Sequence, residues 1–137
     1  GAAHVVGIDF APGMIDLARR KASEAGVEAI CEFVCDDFMT RPLRETFDYA
    51  IVMGFMDYTD DPGGVISRVL SVTTSKAFFS FPADGGILAW QRKLRYRRKC
   101  NLYLYRPGQL EEIVRQVEPS RAHIERIERD FFVTISK

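Results

Sequence analysis

Short apolar runs alternate with amphipathic stretches along most of this chain of 137 residues. Apolar runs of strand length occupy residues 4–9, 29–34, 47–53 and 76–81. Between them, residues 12–25 and 60–72 carry apolar side chains at helical spacing, and a proline near the start of each stretch suits a first helical turn. This order predicts an α/β fold in which crossover helices join parallel strands.

The last third of the chain has a different pattern. Residues 87–96 are predicted to be helical and basic, residues 101–105 are a short aromatic stretch, and residues 109–117 have the spacing of an amphipathic helix. Two apolar runs, 122–127 and 131–135, follow with only three residues between them. So short a link forbids a crossover helix, and we therefore expect these two strands to be antiparallel.

Composition places the chain among folded domains. With 47% hydrophobic and 12% aromatic residues it can bury a core, and its length suits a single domain. No apolar run reaches the roughly 18 residues of a membrane-spanning helix. The three cysteines, Cys31, Cys35 and Cys100, include no CxxC pair, which disfavours a zinc site and a disulfide framework. They fit a reducing cytoplasm, and we expect Cys31 and Cys35 to be small buried residues on one face of a strand.

The formal net charge of zero conceals an uneven distribution. Residues 1–64 carry 5 basic and 12 acidic side chains, whereas residues 65–137 carry 14 basic and 7 acidic ones. Six of the basic side chains fall within residues 92–99. Such a run attracts an anionic substrate, nucleic acid or a membrane surface. The interpretation we favour is a solvated helix face that balances the acidic half.

The stretch from Val5 to Met14 carries the clearest chemical signal. An apolar strand ends in Asp9 and is followed by a turn and a helix. In Rossmann-like sheets this arrangement presents a carboxylate to the ribose hydroxyls of a bound nucleotide. The structural alternative for Asp9 is an aspartate that caps the approach to the helix. A second acidic pair, Asp36 and Asp37, ends the next strand.

Taken in order, these features resemble the class I S-adenosylmethionine-dependent methyltransferases, from the second strand of that family to its seventh. The resemblance rests on the terminal antiparallel pair and on residues 6–14, 33–38, 47–52 and 105–110. It implies a Rossmann-like methyltransferase sheet, mostly parallel with a C-terminal antiparallel strand pair, and S-adenosylmethionine as the cofactor. Residues 1–137 are then expected to form a single, partial methyltransferase domain, with residues 82–106 as an insertion on the substrate side.

The resemblance also implies which residues contact the cofactor. Asp9 matches the residue that accepts hydrogen bonds from the ribose hydroxyls. Asp37 matches the residue that accepts from the adenine amino group, and Asp36 is the alternative in register. Apolar contacts are expected from four further side chains: Phe10, Met14, Phe38 and Met53. Core packing is the alternative for Met14, while Met53 lies where the family places the methionine part of the cofactor or, alternatively, at a plain strand-to-loop transition.

No catalytic side chain is assigned. Methyl transfer mainly requires that the acceptor and the methyl group be held in line. The sequence has no Ser-His-Asp order, P-loop or metal-ligand cluster that indicates another chemistry. We favour a small-molecule acceptor over nucleic acid, because the basic run at residues 92–99 is the only feature that suggests nucleic acid. In the family, the loop after the fourth strand and the insertion form the acceptor side, which here carry Asp57, Tyr58, Tyr103 and Tyr105.

The first strand of the family and its glycine-rich turn are missing from these residues, and in the family order that strand is central. Its two neighbours are then expected about 10 Å apart, with backbone groups facing a gap. Three outcomes follow: the sheet closes up, another copy donates a strand, or the sequence is part of a longer protein, which we favour. The alternatives to an active methyltransferase are a non-catalytic fragment or partner-binding pseudoenzyme and, less favoured, a nicotinamide-dependent oxidoreductase.

Overall fold

A computed structural model describes residues 1–84, 102–117 and 119–137 of the chain. The elements in chain order are β1 (Val5–Asp9), α1 (Pro12–Glu24), β2 (Cys31–Cys35), β3 (Phe47–Val52), α2 (Pro62–Ser71), β4 (Thr73–Pro82), α3 (Pro107–Gln116), β5 (Arg121–Ile127) and β6 (Asp130–Ser136). The predicted alternation of strands and helices is confirmed over these ranges. The predicted helix 87–96, the basic run 92–99 and Cys100 lie outside the described residues. Among the helices described, none is long and apolar enough to cross a membrane.

The chain divides into two compact units, residues 1–43 and residues 44–137. In the first unit β1 and β2 form a two-stranded parallel sheet. Helix α1 packs against both strands and buries Ile15 and Ala22. Gly26 follows the helix with a φ of +67°, the left-handed conformation in which many helices end and which glycine adopts without steric cost. The predicted end of the helical stretch 12–25 is therefore confirmed to within one residue.

The second strand begins later than the apolar pattern predicts. Between α1 and β2 the chain makes a short 3-10 helix, Glu28–Ile30, which takes up the first residues of the apolar run. Cys31, the first residue of β2, is half-buried, and Cys35, the last, is exposed. The prediction of two buried cysteines is therefore wrong. Within residues 1–43, α1 is the one α-helix that packs on the two-stranded sheet, and it does not bury the Cys35 side chain at the carboxyl end of β2.

The second unit contains a four-stranded sheet in the order β3-β4-β6-β5. Strands β3 and β4 are parallel, whereas β6 runs antiparallel to both β4 and β5. The predicted antiparallel ending is therefore confirmed. The predicted start of α2 is confirmed too, because Asp61 caps the helix by accepting a hydrogen bond from the Gly64 N–H at 2.8 Å.

The core of the second unit lies on one face of its sheet. Ala77, Phe79 and Phe81 alternate along β4 and are fully buried, and β6 sets Ile135 and Val133 beside the first two of them. Helix α2 contacts β4 on one side and α3 on another. Its buried side chains are Val65, Ile66 and Val69. Helix α2, which also contacts α3, thus covers β4 on one face of the sheet.

The opposite face is open at β3. Tyr49 is 61% exposed and Ile51 is 71% exposed. The Tyr49 ring stacks on Phe78 of β4, with the ring centroids 6.5 Å apart. The apolar run predicts that both faces of this strand are covered, and for the described residues that prediction is wrong. The exposure on β3 follows from the alternation of side chains along β4. Phe79 and Phe81 lie on the face that the helices cover, whereas Phe78 points to the opposite face, where Tyr49 stacks on it.

Candidate functional site

The carboxyl ends of β1 and β2 bring two acidic positions together. Parallel pairing sets Asp9 opposite Cys35. The Asp36 N–H then donates to the Asp9 carbonyl at 3.1 Å. Ligands of open α/β sheets bind beyond the carboxyl ends of the strands, which makes this edge the candidate site.

Asp9 has a local structural role. Its Oδ1 accepts a hydrogen bond from the Ala11 N–H at 2.8 Å, which fixes the turn from β1 into α1. The alternative of an aspartate at the helix approach is therefore confirmed as a contact. Because a carboxylate has room for about four accepted hydrogen bonds, this contact leaves it able to bind ligand hydroxyls as well. The ribose role stays a prediction.

Phe10 directly follows Asp9 in the chain, Met14 lies in the first turn of α1, and both apolar side chains are exposed. Phe10 is 72% exposed and Met14 is 51% exposed. The interpretation of Met14 as a core residue is therefore wrong. Exposed apolar side chains in the segment that follows a carboxylate suit a ligand that combines a flat ring with hydroxyl groups, since binding sites pair apolar walls with a few polar groups.

The two aspartates after β2 are held differently. Asp36 makes an ion pair with Arg41, at 3.1 Å between Oδ2 and the guanidinium nitrogen. Asp37 accepts from the Met39 N–H at 2.8 Å through Oδ1 and from the Thr40 hydroxyl at 3.3 Å through Oδ2. Both carboxylates therefore shape the turn that follows β2. The sequence pattern gave no sign of Arg41 as a partner.

Phe38 and Met53 are the last two of the predicted cofactor contacts. Phe38 is half-buried in the same turn, and Met53 lies directly after β3 with almost half of its side chain exposed. Six of the seven predicted cofactor residues belong to the first unit, residues 1–43: Asp9, Phe10, Met14, Asp36, Asp37 and Phe38. Met53 belongs to the second unit.

In the second unit, side chains hold the loop that follows β3. The Gly54 N–H donates to Oγ of Ser80 on β4 at 3.1 Å. The Met56 carbonyl accepts a hydrogen bond from the Tyr105 hydroxyl at 3.0 Å. Sequence reasoning missed Ser80; its one signal is a lone polar residue inside the apolar run 77–82.

Tyr105 anchors the segment that enters α3. It is 2% exposed, and its ring meets Phe81 edge-on with the centroids 5.0 Å apart. Burial, with smaller contributions from Asp57 and Tyr103, raises the pKa of Tyr105 to about 12. The Tyr103 N–H donates to the Asp57 carbonyl at 2.9 Å. Three of the residues predicted for the acceptor side therefore lie together.

A family model described as a methyltransferase domain matches residues 1–76, more than half of the chain. The chain belongs to the class I S-adenosylmethionine-dependent methyltransferases. This membership argues against the nicotinamide-dependent alternative. Among curated proteins, this methyltransferase chain is similar to the malonyl-[acyl-carrier protein] O-methyltransferase of Acetivibrio thermocellus. The identity is 29% over 111 residues, which are 78% of the chain and 38% of that protein.

Solved methyltransferase structures share the fold. Magnesium protoporphyrin IX methyltransferase from Synechocystis PCC 6803 with bound SAH has a TM-score of 0.72 at 18% identity, over 99% of this chain and 64% of that one. An O-methyltransferase family protein from Burkholderia thailandensis has a TM-score of 0.76 at 13% identity, over 97% of this chain and 42% of that one. The methyltransferase chain thus spans less than two thirds of the length of each of these relatives.

Proposed function

We propose that the full protein transfers a methyl group from S-adenosylmethionine to a small-molecule acceptor. We further propose that residues 1–43 contribute the adenosine side of the cofactor site. The observation that supports this most is the meeting of Asp9 and Asp36 at the carboxyl ends of two parallel strands, joined by a backbone hydrogen bond of 3.1 Å. S-adenosylmethionine supplies a methyl group bound to a sulfonium, together with a ribose and an adenine that the protein can grip.

The side chains at this edge suit an adenosine group. The Asp9 carboxylate is proposed to accept from both ribose hydroxyls, and such charged hydrogen bonds are stronger than neutral ones. The exposed surfaces of Phe10 and Met14 are proposed to contact the adenine ring. Asp37 is our choice for the adenine amino group, because the Asp36 carboxylate is already engaged by Arg41.

The second unit is proposed to serve the rest of the cofactor and the acceptor. Met53 and the loop after it are assigned to the methionine part. The acceptor side is assigned to residues 82–106, of which residues 85–101 lie outside the described ranges. Two of the relatives are named O-methyltransferases, and we therefore propose an oxygen acceptor. No residue of the chain is proposed as a catalytic base.

Calorimetry with S-adenosylhomocysteine (SAH), the demethylated cofactor, tests the proposal. The protein is expressed with whatever sequence its gene encodes before Gly1, and is titrated with SAH and, as a control, with NAD. We expect SAH to bind with a Kd of roughly micromolar size, about −8 kcal/mol, and NAD not to bind. Neither heat nor a thermal shift with SAH would refute the cofactor assignment, and a preference for NAD would favour an oxidoreductase. RNA binding with a steep salt dependence would instead favour a nucleic-acid acceptor.

A partner-binding role without catalysis is the second candidate, and the open edge of the sheet favours it. Strand β3 is at one edge of the four-stranded sheet and exposes Tyr49 and Ile51. Exposed apolar edge strands pair readily with strands of other chains. A strand donated by a second copy, or from elsewhere in the full protein, would cover this edge. Light scattering tests it: a monomer at every concentration, with ordinary thermal stability, would count against strand donation between copies.

A further inference from the structure

The loop that follows β3, residues 53–59, is tied to two separate parts of the second unit. At its start, the Gly54 N–H donates to the Ser80 hydroxyl on β4. At its middle, the Met56 carbonyl accepts from the Tyr105 hydroxyl. These partners lie 26 and 49 residues away along the chain. Two hydroxyl groups, rather than a strand ladder, therefore hold these two points of the loop.

The two contacts constrain the loop in different ways. Gly54 has a φ of +68°, and a Cβ at this position would meet no atom within 4 Å. Glycine therefore suits position 54 because of the left-handed backbone and not because of crowding. The Ser80 hydroxyl fixes a residue whose backbone has wide conformational freedom. Met56 is fully buried, and its carbonyl depends on the buried hydroxyl of Tyr105.

The anchor on the Tyr105 side is itself well fixed. The Tyr105 N–H donates to the Pro82 carbonyl at 2.9 Å, and its carbonyl accepts from the Asp84 N–H at 2.7 Å. The edge-on contact with Phe81 holds the ring. A tyrosine hydroxyl keeps its proton and is a donor at neutral pH, and burial raises the pKa of Tyr105 further, to about 12. The loop is thus tied to the carboxyl end of β4 and to the segment that enters α3.

We propose that Ser80 and Tyr105 are positioning residues that hold loop 53–59 in the shape that receives the methionine part of the cofactor. This inference rests on the proposed function, which assigns Met53 to that part of the site. Ser80 acts through Gly54, and Tyr105 acts through Met56, so neither is a catalytic residue. A loop that is already ordered loses less conformational freedom when the ligand binds, and the ligand therefore binds more tightly.

Four variants of the full protein test this inference. Ser80→Ala and Tyr105→Phe each delete one hydroxyl and retain the rest of the side chain. Ser80→Thr restores a hydroxyl on a residue that strands favour. Tyr49→Phe is the matched control, because it deletes the hydroxyl of a tyrosine that is 61% exposed on β3. The measurements are SAH affinity by calorimetry and hydrogen exchange of the amides of residues 53–59.

Ser80→Ala and Tyr105→Phe are each expected to weaken SAH binding by about 3- to 10-fold, the usual net value of one hydrogen bond. Both should accelerate exchange in residues 53–59 while the amides of β6 keep their protection. Ser80→Thr should recover most of the affinity, and Tyr49→Phe should match the wild type. If Tyr105→Phe does not fold, the Ser80 pair still decides the outcome, because Ser80 is only half-buried.

Unchanged affinity and unchanged exchange in Ser80→Ala and Tyr105→Phe would overturn the inference. Weaker binding with an equal loss of protection throughout the second unit would overturn it too, since that is a loss of fold and not of loop position. Failure of the proposed function gives a different result. In that case the wild type itself does not bind SAH, whatever the exchange of the loop.

Discussion

A structural and a binding role meet in Asp9, and two substitutions separate them. In the wild type the Ala11 N–H donates to Oδ1 of Asp9 at 2.8 Å. Asp9→Asn retains an oxygen that can accept this hydrogen bond but removes the negative charge. Asp9→Ala removes both the oxygen and the charge. The asparagine variant therefore tests the proposed ribose contact with the turn into α1 preserved, and the alanine variant tests the two roles together.

The contact with Ala11 resembles a helix cap, whose loss costs about 0.5–2 kcal/mol of unfolding free energy. We expect a loss of this size for Asp9→Ala and a much smaller one for Asp9→Asn. For SAH, each hydrogen bond to a charged group contributes about 1.5–3 kcal/mol, and an amide oxygen recovers only part of it. Asp9→Asn is therefore expected to raise the Kd for SAH by about 10- to 100-fold, equivalent to roughly 1.4–2.8 kcal/mol.

Urea unfolding measures the first effect, and calorimetry with SAH measures the second. Asp16→Asn is the matched control, because Asp16 lies on the exposed surface of α1 and its ion pair with Arg19 is solvent-exposed. It should change stability and affinity little. If Asp9→Asn binds SAH as tightly as the wild type while Asp9→Ala is destabilised, the carboxylate serves only the turn. The assignment of ribose to Asp9 is then refuted.

Three further predictions concern the aspartate pair, a buried hydroxyl and the core. Asp37→Asn should weaken SAH binding by about 10-fold, and Asp36→Asn by less because its carboxylate is paired with Arg41; the reverse order in calorimetry would transfer the adenine contact to Asp36. Because the pKa of Tyr105 is raised from 10.0 to about 12, the folded chain keeps a proton that the unfolded chain releases. The protonated hydroxyl of Tyr105 should contribute fully to stability below pH 10, and this contribution should be lost as the pH rises to about 12. The difference in the free energy of unfolding in urea between wild type and Tyr105→Phe should therefore shrink over that range. A constant difference would contradict the linkage. Val133→Ala should lower the unfolding free energy by about 2 kcal/mol, since this side chain is fully buried in the middle of β6, and thermal denaturation showing a loss below about 0.5 kcal/mol would place it outside the core.

Local signals explain why much of the fold could be predicted. Helix α1 begins at Pro12 and ends before Gly26, because proline suits a first helical turn and glycine accepts the left-handed backbone after the last turn. The link between β5 and β6 leaves no room for a crossover, which decides their antiparallel pairing. The position of Asp9 at a strand end is equally local. Parallel pairing then brings it to the same sheet edge as Asp36, as expected.

The start of β2 shows where local pattern stops being sufficient. Apolar character predicts a strand from Ala29, yet the chain first completes the 3-10 helix Glu28–Ile30. A short apolar run suits either a strand or a helical turn, and its periodicity alone does not distinguish them. Cys35 is similar: its small apolar side chain predicts burial, but exposure depends on which elements cover the end of the strand.

By itself, the sequence of this methyltransferase chain determined the order of its elements and the acidic ends of its strands, because these depend on residues close together in the chain. Only the tertiary structure decided that Ile51 is exposed while Phe79 is sealed, since burial depends on where helices pack. It alone revealed the bond between Tyr105 and Met56, which joins residues 49 positions apart. Such a contact has no signature in a single sequence, because only the topology of the sheet brings its two partners into reach.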